Sequence, residues 1–262
     1  MTNNTSLPFQ LGRVRHPFAA RHVQLLAREQ LSPGFVRLTL GGPELAGFHS
    51  AGFDDHVKLI LPMPGQEKPS LPQIVDGRPQ IEGPKPTMRD YTPLHYDAGQ
   101  QTLLLDFALH GTGPAADWAR RAPLGSWIGL AGPRGSMVFT GEVDVHVLLG
   151  DESAMPAIER RLQELPAEAK AIVCVQVADM RDARDWHSKA TLDCQFTSSL
   201  LQSLEGLDLP TDSVWVWGGG EHSLMAAARQ VLLAKGVTGK RLRLSAYWKR
   251  GVADHHEDLP AA

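Results

Sequence analysis

Up to about residue 140, apolar and polar positions follow one another in short runs. Residues 22–29 and 35–40 (FVRLTL) alternate or nearly so, and the LSPG between them is a turn signal. Residues 56–61 (HVKLIL), 102–109 (TLLLDFAL) and 127–131 (WIGLA) are further short runs bounded by Gly and Pro. Six or so strands at this spacing predict a small antiparallel barrel. Residues 62–87 hold too many prolines for a central strand and read as a long surface loop.

The rhythm then changes. Residues 145–149 (VHVLL), 171–177 (AIVCVQV), 214–217 (VWVW) and 241–247 (RLRLSAY) are strand-like, and helical spacing predicts helices near 154–165, 196–204 and 222–236. Strands alternating with helices imply βαβ units and a mostly parallel sheet, which binds ligands at the carboxyl ends of its strands. The expected fold is therefore an antiparallel six-stranded β barrel, residues 1–140, followed by a mostly parallel α/β domain, residues 141–262, with a polar tail.

Composition narrows the field. With 42% apolar and 21% charged residues the chain is an ordinary globular one rather than a disordered one. Lys and Arg (26) nearly balance Asp and Glu (29), so no global field recruits nucleic acid or an anionic membrane, and any cationic site must be local. Two cysteines, Cys174 and Cys194, cannot make a disulfide framework or a four-thiolate metal site. His255-His256-Glu257-Asp258 reads as solvated tail, and no resident metal is expected. No secretory signal and no run of about 18 apolar residues is seen. A soluble cytoplasmic protein without membrane insertion is expected, with a monomer as the working expectation.

The sharpest local signal is Arg89-Asp90-Tyr91-Thr92. An Arg can chelate a pyrophosphate through its planar fork, a Tyr two residues on faces the same side of a strand and can pack on a flat ring, and the next hydroxyl can donate to that ring. Farther on, a strand ends in His110-Gly111-Thr112-Gly113, and Pro114 stands where a first-turn proline opens a helix whose free N–H groups suit a phosphate. Gly150 to Pro156 follows a strand and opens a helix but is not a G-x-G-x-x-G fingerprint. The three glycines of Trp217-Gly218-Gly219-Gly220-Glu221 permit close backbone approach to a ligand. Asp179, after a strand, can bind a ribose 2′-hydroxyl and favour NADH, whereas Arg181 and Arg184 favour a 2′-phosphate and NADPH. Both readings stand, with a slight lean to NADPH.

Arg89-x-Tyr91-Thr92, the HGTGPAADWA stretch, Gly132-Pro133-Arg134-Gly135, the GDESAMPAI stretch from Gly150, Trp217 to Glu221 and Tyr247-Trp248-Lys249-Arg250-Gly251 occur in one order. That ordered set resembles the siderophore-interacting protein family, the ferric-siderophore reductases of the ferredoxin-reductase-like superfamily, over residues 15 to 251. The resemblance implies a flavin-binding barrel, a C-terminal NAD(P)H-binding domain and reduction of Fe(III) held by a siderophore. It assigns Arg89 to the FAD phosphates, Tyr91 to the ring or ribityl, and Thr92 to the neighbourhood of flavin N5. Asp106, Ala108 and His110 would lie along the flavin, and Gly113, Pro114 and Ala115 would offer backbone to its pyrophosphate. Many relatives have one more residue in the turn before Gly113, so the phosphate donors there stay open.

On the nicotinamide side the resemblance points to Gly150, Asp151, Glu152 and Ser153, and to Trp217, Gly219, Gly220 and Glu221. It supports a basic patch for the anionic chelate at Lys58, Arg134, Lys249 and Arg250, and Trp248 would shield the flavin or cap the barrel. No side chain is expected to act as a nucleophile or general base, because the flavin carries the chemistry. Two other readings remain: a general flavin-dependent reductase with a protein acceptor, and a non-enzymatic ferric-siderophore-binding protein.

Overall fold

The structure is a computed structural model that describes residues 8–76, 78–109, 113–210, 213–252 and 257–259. The chain divides into two compact units: Val14–Ser136, and Met1–Arg13 together with Met137–Ala262. The described residues 8–13 thus group with the α/β part, whereas the pattern along the chain assigned them to the barrel. β1 (Phe9–Arg15) pairs with a later strand, Gly135–Gly141, and both strands run across the division.

The first unit is built on β2 (Ala20–Ser32), β3 (Phe35–Gly41) and β4 (Val57–Ile60), then β5 (Gln73–Val75) and β6 (Arg78–Gln80), β7 (Met88–Tyr91), β8 (His95–Asp97), β9 (Thr102–Ala108), α1 (Pro114–Arg121) and β10 (Trp127–Ala131). Seven of its strands form one antiparallel sheet in the order β7-β4-β10-β2-β3-β9-β8. Among the described residues no ladder joins the two edge strands, so the sheet is a curled half-barrel of seven strands rather than a closed barrel of six. Its curl is deep. β7 and β8 are opposite edges, yet only residues 92–94 connect them, a span of at most about 14 Å. Two register shifts in β2, at Leu25/Ala27 and Gln30/Ser32, bend the long strand that carries the curve. Leu25, Leu38, Leu40, Leu105 and Ile128 are fully buried in the single core this curl encloses. Each such side chain contributes about 1.5–3 kcal/mol on leaving water. The small faces of Ala115, Ala116 and Ala119 let α1 lie on that core. β8 escapes sequence reading because three residues are too few to show alternation.

After β11 (Gly135–Gly141), the second unit runs β12 (Val145–Asp151), α2 (Met155–Glu164), β13 (Lys170–Gln176), β14 (Thr191–Thr197), α3 (Leu200–Gly206), β15 (Val214–Glu221), α4 (His222–Ala234), β16 (Leu242–Trp248) and β17 (Glu257–Asp258). Its sheet has the order β14-β13-β12-β15-β16-β17, with parallel pairings up to β16 and an antiparallel β17 at the edge. β12 and β15 are buried along most of their length, which explains their unbroken apolar runs. The helix expected over 196–204 is corrected: Phe196 and Thr197 end β14, and the helix starts at Leu200. β14 is largely exposed at the sheet edge, so no buried stripe marks it as a strand. No helix among the described residues is long and apolar enough to cross a membrane.

Candidate functional site

β7 carries two different surfaces. It pairs with β4 so that Tyr91 lies opposite Val57, Asp90 opposite Lys58 and Arg89 opposite Leu59. The two-residue period of a strand puts Arg89 and Tyr91 on one face and Met88 and Asp90 on the other. The Tyr91 ring packs on Phe107 with centroids 4.0 Å apart, and burial pushes its phenol well above the usual range although the Arg89 charge pulls the other way. Its hydroxyl therefore stays a protonated donor. The Arg89 guanidinium donates to the Met88 carbonyl at 2.7 Å and has no carboxylate partner among the described residues. A half-buried guanidinium without a counter-charge has capacity for an anion. Thr92, next along, is buried at 8% exposure.

α1 opens on Gly113 with Pro114 in its first turn and no side chain capping it, and a Cβ at Gly113 would meet nothing within 4 Å. With no side-chain cap, the first backbone N–H groups after Pro114 are not taken by a capping side chain, as a phosphate cradle requires. Asp106 is less available. Its buried carboxylate accepts both Nε and Nη2 of Arg37, at 2.6 and 2.9 Å, and strand alternation puts Asp106 and Ala108 on the face away from Phe107. His110 lies outside the described residues.

On the opposite face of β4 and β7 is a cavity of about 410 Å³. His56, Lys58, Lys85 and Arg134 form its polar wall, and Phe18 and Met88 are among its apolar lining. The segment around Lys68, Pro69 and Leu71, in the stretch read as a surface loop, packs onto this sheet rather than trailing free. A Cβ at Gly129 would stand 2.6 Å from Leu71 and 3.3 Å from Pro69, His22 Nε2 lies 2.9 Å from the Pro69 carbonyl, and Lys68 sits 3.7 Å above the Trp127 ring. The β5–β6 hairpin lies within this segment, turning at Asp76 with φ 50°.

Lys58 and Arg134 thus share one cavity, as expected of a basic patch. Lys58 is nevertheless paired: its Nζ lies 2.9 Å from both carboxylate oxygens of Asp90. Arg134 has no carboxylate partner among the described residues, and neither has Lys85. Sequence reading missed Lys85 and His56; no motif marks them, because only the cover over β4 and β7 brings them to the site. It also missed the buried staple behind the wall. The Ser136 hydroxyl donates to Asp55 at 2.6 Å, receives the Ala51 N–H at 3.1 Å, and lies 2.7 Å from His16 Nε2. His16 in turn donates its backbone N–H to the Arg134 carbonyl at 3.1 Å. The segments bearing His56 and Arg134 are thereby tied together.

In the second unit the expected nicotinamide residues gather at the carboxyl ends of β12, β13, β15 and β16, and many hold each other. The buried Asp151 carboxylate accepts the Ser153 N–H at 2.9 Å, the Glu221 N–H at 2.7 Å and the Trp248 indole N–H at 3.0 Å. Burial nonetheless holds its pKa above the usual carboxylate range. Glu221 caps α4 through the Ser223 and Leu224 N–H groups and also accepts the Arg250 N–H at 3.3 Å. Desolvation pushes its carboxyl up, but these donors outweigh it and hold it low. Glu152 accepts the Ala178 N–H at 2.5 Å.

The glycines serve packing. A Cβ on Gly150 would lie 2.1 Å from the Gly219 carbonyl oxygen, on Gly219 2.9 Å from the Tyr247 ring, and on Gly220 2.9 Å from Asp151 Oδ2. The room expected for a ligand beside Gly219 and Gly220 is filled on these sides by protein. Trp217 is fully buried within the sheet, whereas the Trp248 ring is 40% exposed. Asp179 and Arg181 bind each other at 2.5 to 3.0 Å, and Arg184 follows partly buried in the same loop. Lys249 and Arg250 are exposed and belong to this unit, while the cationic cavity belongs to the other.

Residues 24–137 match the family model described as siderophore-interacting FAD-binding domain, and residues 143–251 match that of siderophore-interacting protein. The NADPH-dependent ferric-chelate reductase of Escherichia coli K12 is 34% identical, over 94% of this chain and 98% of its own. The chain belongs to the siderophore-interacting protein family. Ferric vibriobactin reductase ViuB of Vibrio cholerae is 31% identical over 91% of this chain and 93% of its own length. Among solved structures, a siderophore utilization protein from T. fusca superposes with a TM-score of 0.84 at 33% identity, covering 94% of this chain and 98% of that one. A ferredoxin NADP+ reductase from Neisseria gonorrhoeae, at TM-score 0.54 and 15% identity, shares the fold. In this siderophore-interacting protein, Arg89 to Thr92 and the basic residues of the cavity fall in the first matched stretch, and the Asp151 cluster falls in the second.

Proposed function

We propose that this chain is an NAD(P)H-dependent, FAD-containing reductase that converts Fe(III) in ferric siderophores to Fe(II) and releases the iron in the cytoplasm. The first domain, residues 1–140, would hold the flavin, and residues 141–262 the nicotinamide. One observation carries the reading: β7 presents on one face a guanidinium with no carboxylate partner among the described residues and a ring-packing tyrosine, and walls a cationic cavity with the other.

The residues suit FAD. Arg89, with no carboxylate partner among the described residues, has charge for the pyrophosphate, the start of α1 adds N–H donors at Gly113 and Ala115 on either side of Pro114, and Tyr91 and Thr92 offer a ring face and a hydroxyl. When bound, FAD supplies the division of a two-electron nicotinamide donor into the single electrons that Fe(III) accepts. The protein's own work is placement and charge. Tyr91 stays protonated and fixed on Phe107, so it presents a steady apolar face. Arg134 and Lys85 attract an anionic chelate, and the Asp55–Ser136 staple holds the wall they belong to. Fe(II) binds hard anionic oxygens far less tightly than Fe(III), so reduction itself loosens the chelate. Asp151 holds the Trp248 indole in place at the strand ends where the nicotinamide is assigned.

The test is an absorption spectrum of the purified protein after flavin addition, then anaerobic NADPH, then a ferric siderophore with a ferrous-specific dye. Flavin uptake, bleaching by NADPH and dye formation are expected. Failure to take up flavin, or bleaching with no ferrous product, rejects the reading.

A further inference from the structure

We propose that the chain pairs with a second copy of itself along β14, Thr191–Thr197, joining two six-stranded sheets into one across a two-fold axis at Cys194. Such pairing is independent of the reductase reading and replaces the monomer expected from the sequence.

The two edges of the sheet differ. At one, the antiparallel β17 lies against β16. At the other, β14 pairs with β13 through its whole length without a register shift, and among the described residues no strand lies beyond it. Exposed edges are ordinarily blunted by proline, lysine, a bulge or brevity. β14 has none of these: it is 7 residues long, TLDCQFT, with Asp193 its single charge.

Backbone direction sets which groups are available. The Thr191 N–H donates to the Ala169 carbonyl at 3.0 Å, and the Thr197 carbonyl accepts the Val177 N–H at 2.9 Å. With a period of two, Thr191, Asp193, Gln195 and Thr197 therefore turn their amides and carbonyls toward β13. Those of Leu192, Cys194 and Phe196 point outward, and no backbone hydrogen bond from a neighbouring element reaches them among the described residues.

An antiparallel copy centred on Cys194 uses all three. Cys194 meets its own counterpart, Leu192 meets Phe196 in both directions, and each pair exchanges two bonds, about six in all. The side chains match in the same register. Thr191 falls opposite Thr197 and Asp193 opposite Gln195, so like charges do not face each other. Centring on Asp193 would set two carboxylates face to face, and centring on Gln195 would push Leu192 past the end of the facing strand. Alternation places Leu192, Cys194 and Phe196 on one face, where half-buried Leu192 and Phe196, with the Trp186 ring 5.4 Å from Phe196, offer apolar contact. A formal net charge of −3 per chain opposes association only weakly.

The experiment is sedimentation velocity of the full chain in reducing buffer from about 1 to 300 μM, a range that covers transient pairing through a small interface. A reversible monomer–dimer equilibrium within that range is expected. Cys194→Ser should move its dissociation constant by less than about twofold, because backbone bonds rather than a disulfide join the copies. Cys194→Lys and Cys194→Glu change an exposed side chain and should each weaken pairing about tenfold by setting like charges across the axis. An equal mixture of the two should dimerise at least as well as wild type, a rescue that only a self-facing position 194 gives. A chain monomeric throughout the range, a dimer indifferent to Cys194→Lys, or a mixture no better than either variant alone overturns the proposal.

Discussion

At the exposed end of β13, hydrogen bonds and charge from Arg181 hold the Asp179 carboxyl down to about 2. The acid that would recognise a ribose 2′-hydroxyl and the base that would recognise a 2′-phosphate therefore occupy one another. Asp179→Asn removes the competing charge and leaves Arg181 available, so the kcat/KM ratio of NADPH over NADH should rise severalfold; an unchanged ratio removes Arg181 from the nicotinamide site. His146 carries a pH effect. Burial, with a smaller push from the Arg161 charge, depresses its pKa from 6.5 to about 3, and its Nδ1 makes no hydrogen bond. Between those values the unfolded chain binds a proton that the folded chain refuses, so stability falls as pH drops from 6.5 toward 3. The slope is at most about 1.4 kcal/mol per pH unit. Replacing it in His146→Phe should flatten the acid limb of urea-denaturation stability, and an equally steep limb counts against this account.

At the level of elements, β12 and β15 approach so closely that glycine is required. Gly150→Ala sets a methyl 2.1 Å from the Gly219 carbonyl oxygen with Ala154 on its other side, and should cost about 3 kcal/mol in urea denaturation. A loss below about 1 kcal/mol would mean the strands can part. Several elements were readable beforehand for clear reasons. The runs at 102–109 and 171–177 have a partner strand on both sides, and burial wrote itself into their composition. Arg89 and Tyr91 share a face as their spacing requires. β14 and the β5–β6 hairpin were not read, since both are largely exposed and carry no apolar stripe. The Asp76-Gly77 dipeptide was the one available signal for the hairpin.

On the scale of the molecule, Arg134 and Lys85 bring local positive charge to one cavity in a chain with a slight negative excess. Attraction of that kind is screened by salt. KM for an anionic ferric chelate should climb severalfold from low to high ionic strength while that for a neutral one stays nearly level; parallel behaviour of the two would argue against local charge. The main buried strands, the change from a strand-rich half to alternating strands and helices, and the same-face spacing of Arg89 and Tyr91 were present in local periodicity and spacing, because each depends on neighbours within a few positions. Which charges survive in the site was not. Lys58 with Asp90, Arg37 with Asp106 and Trp248 with Asp151 are separated by 32, 69 and 97 positions. Such partnerships follow from strand order and register, which arise only when the sheets assemble, and they determine which basic and acidic groups remain available to a ligand.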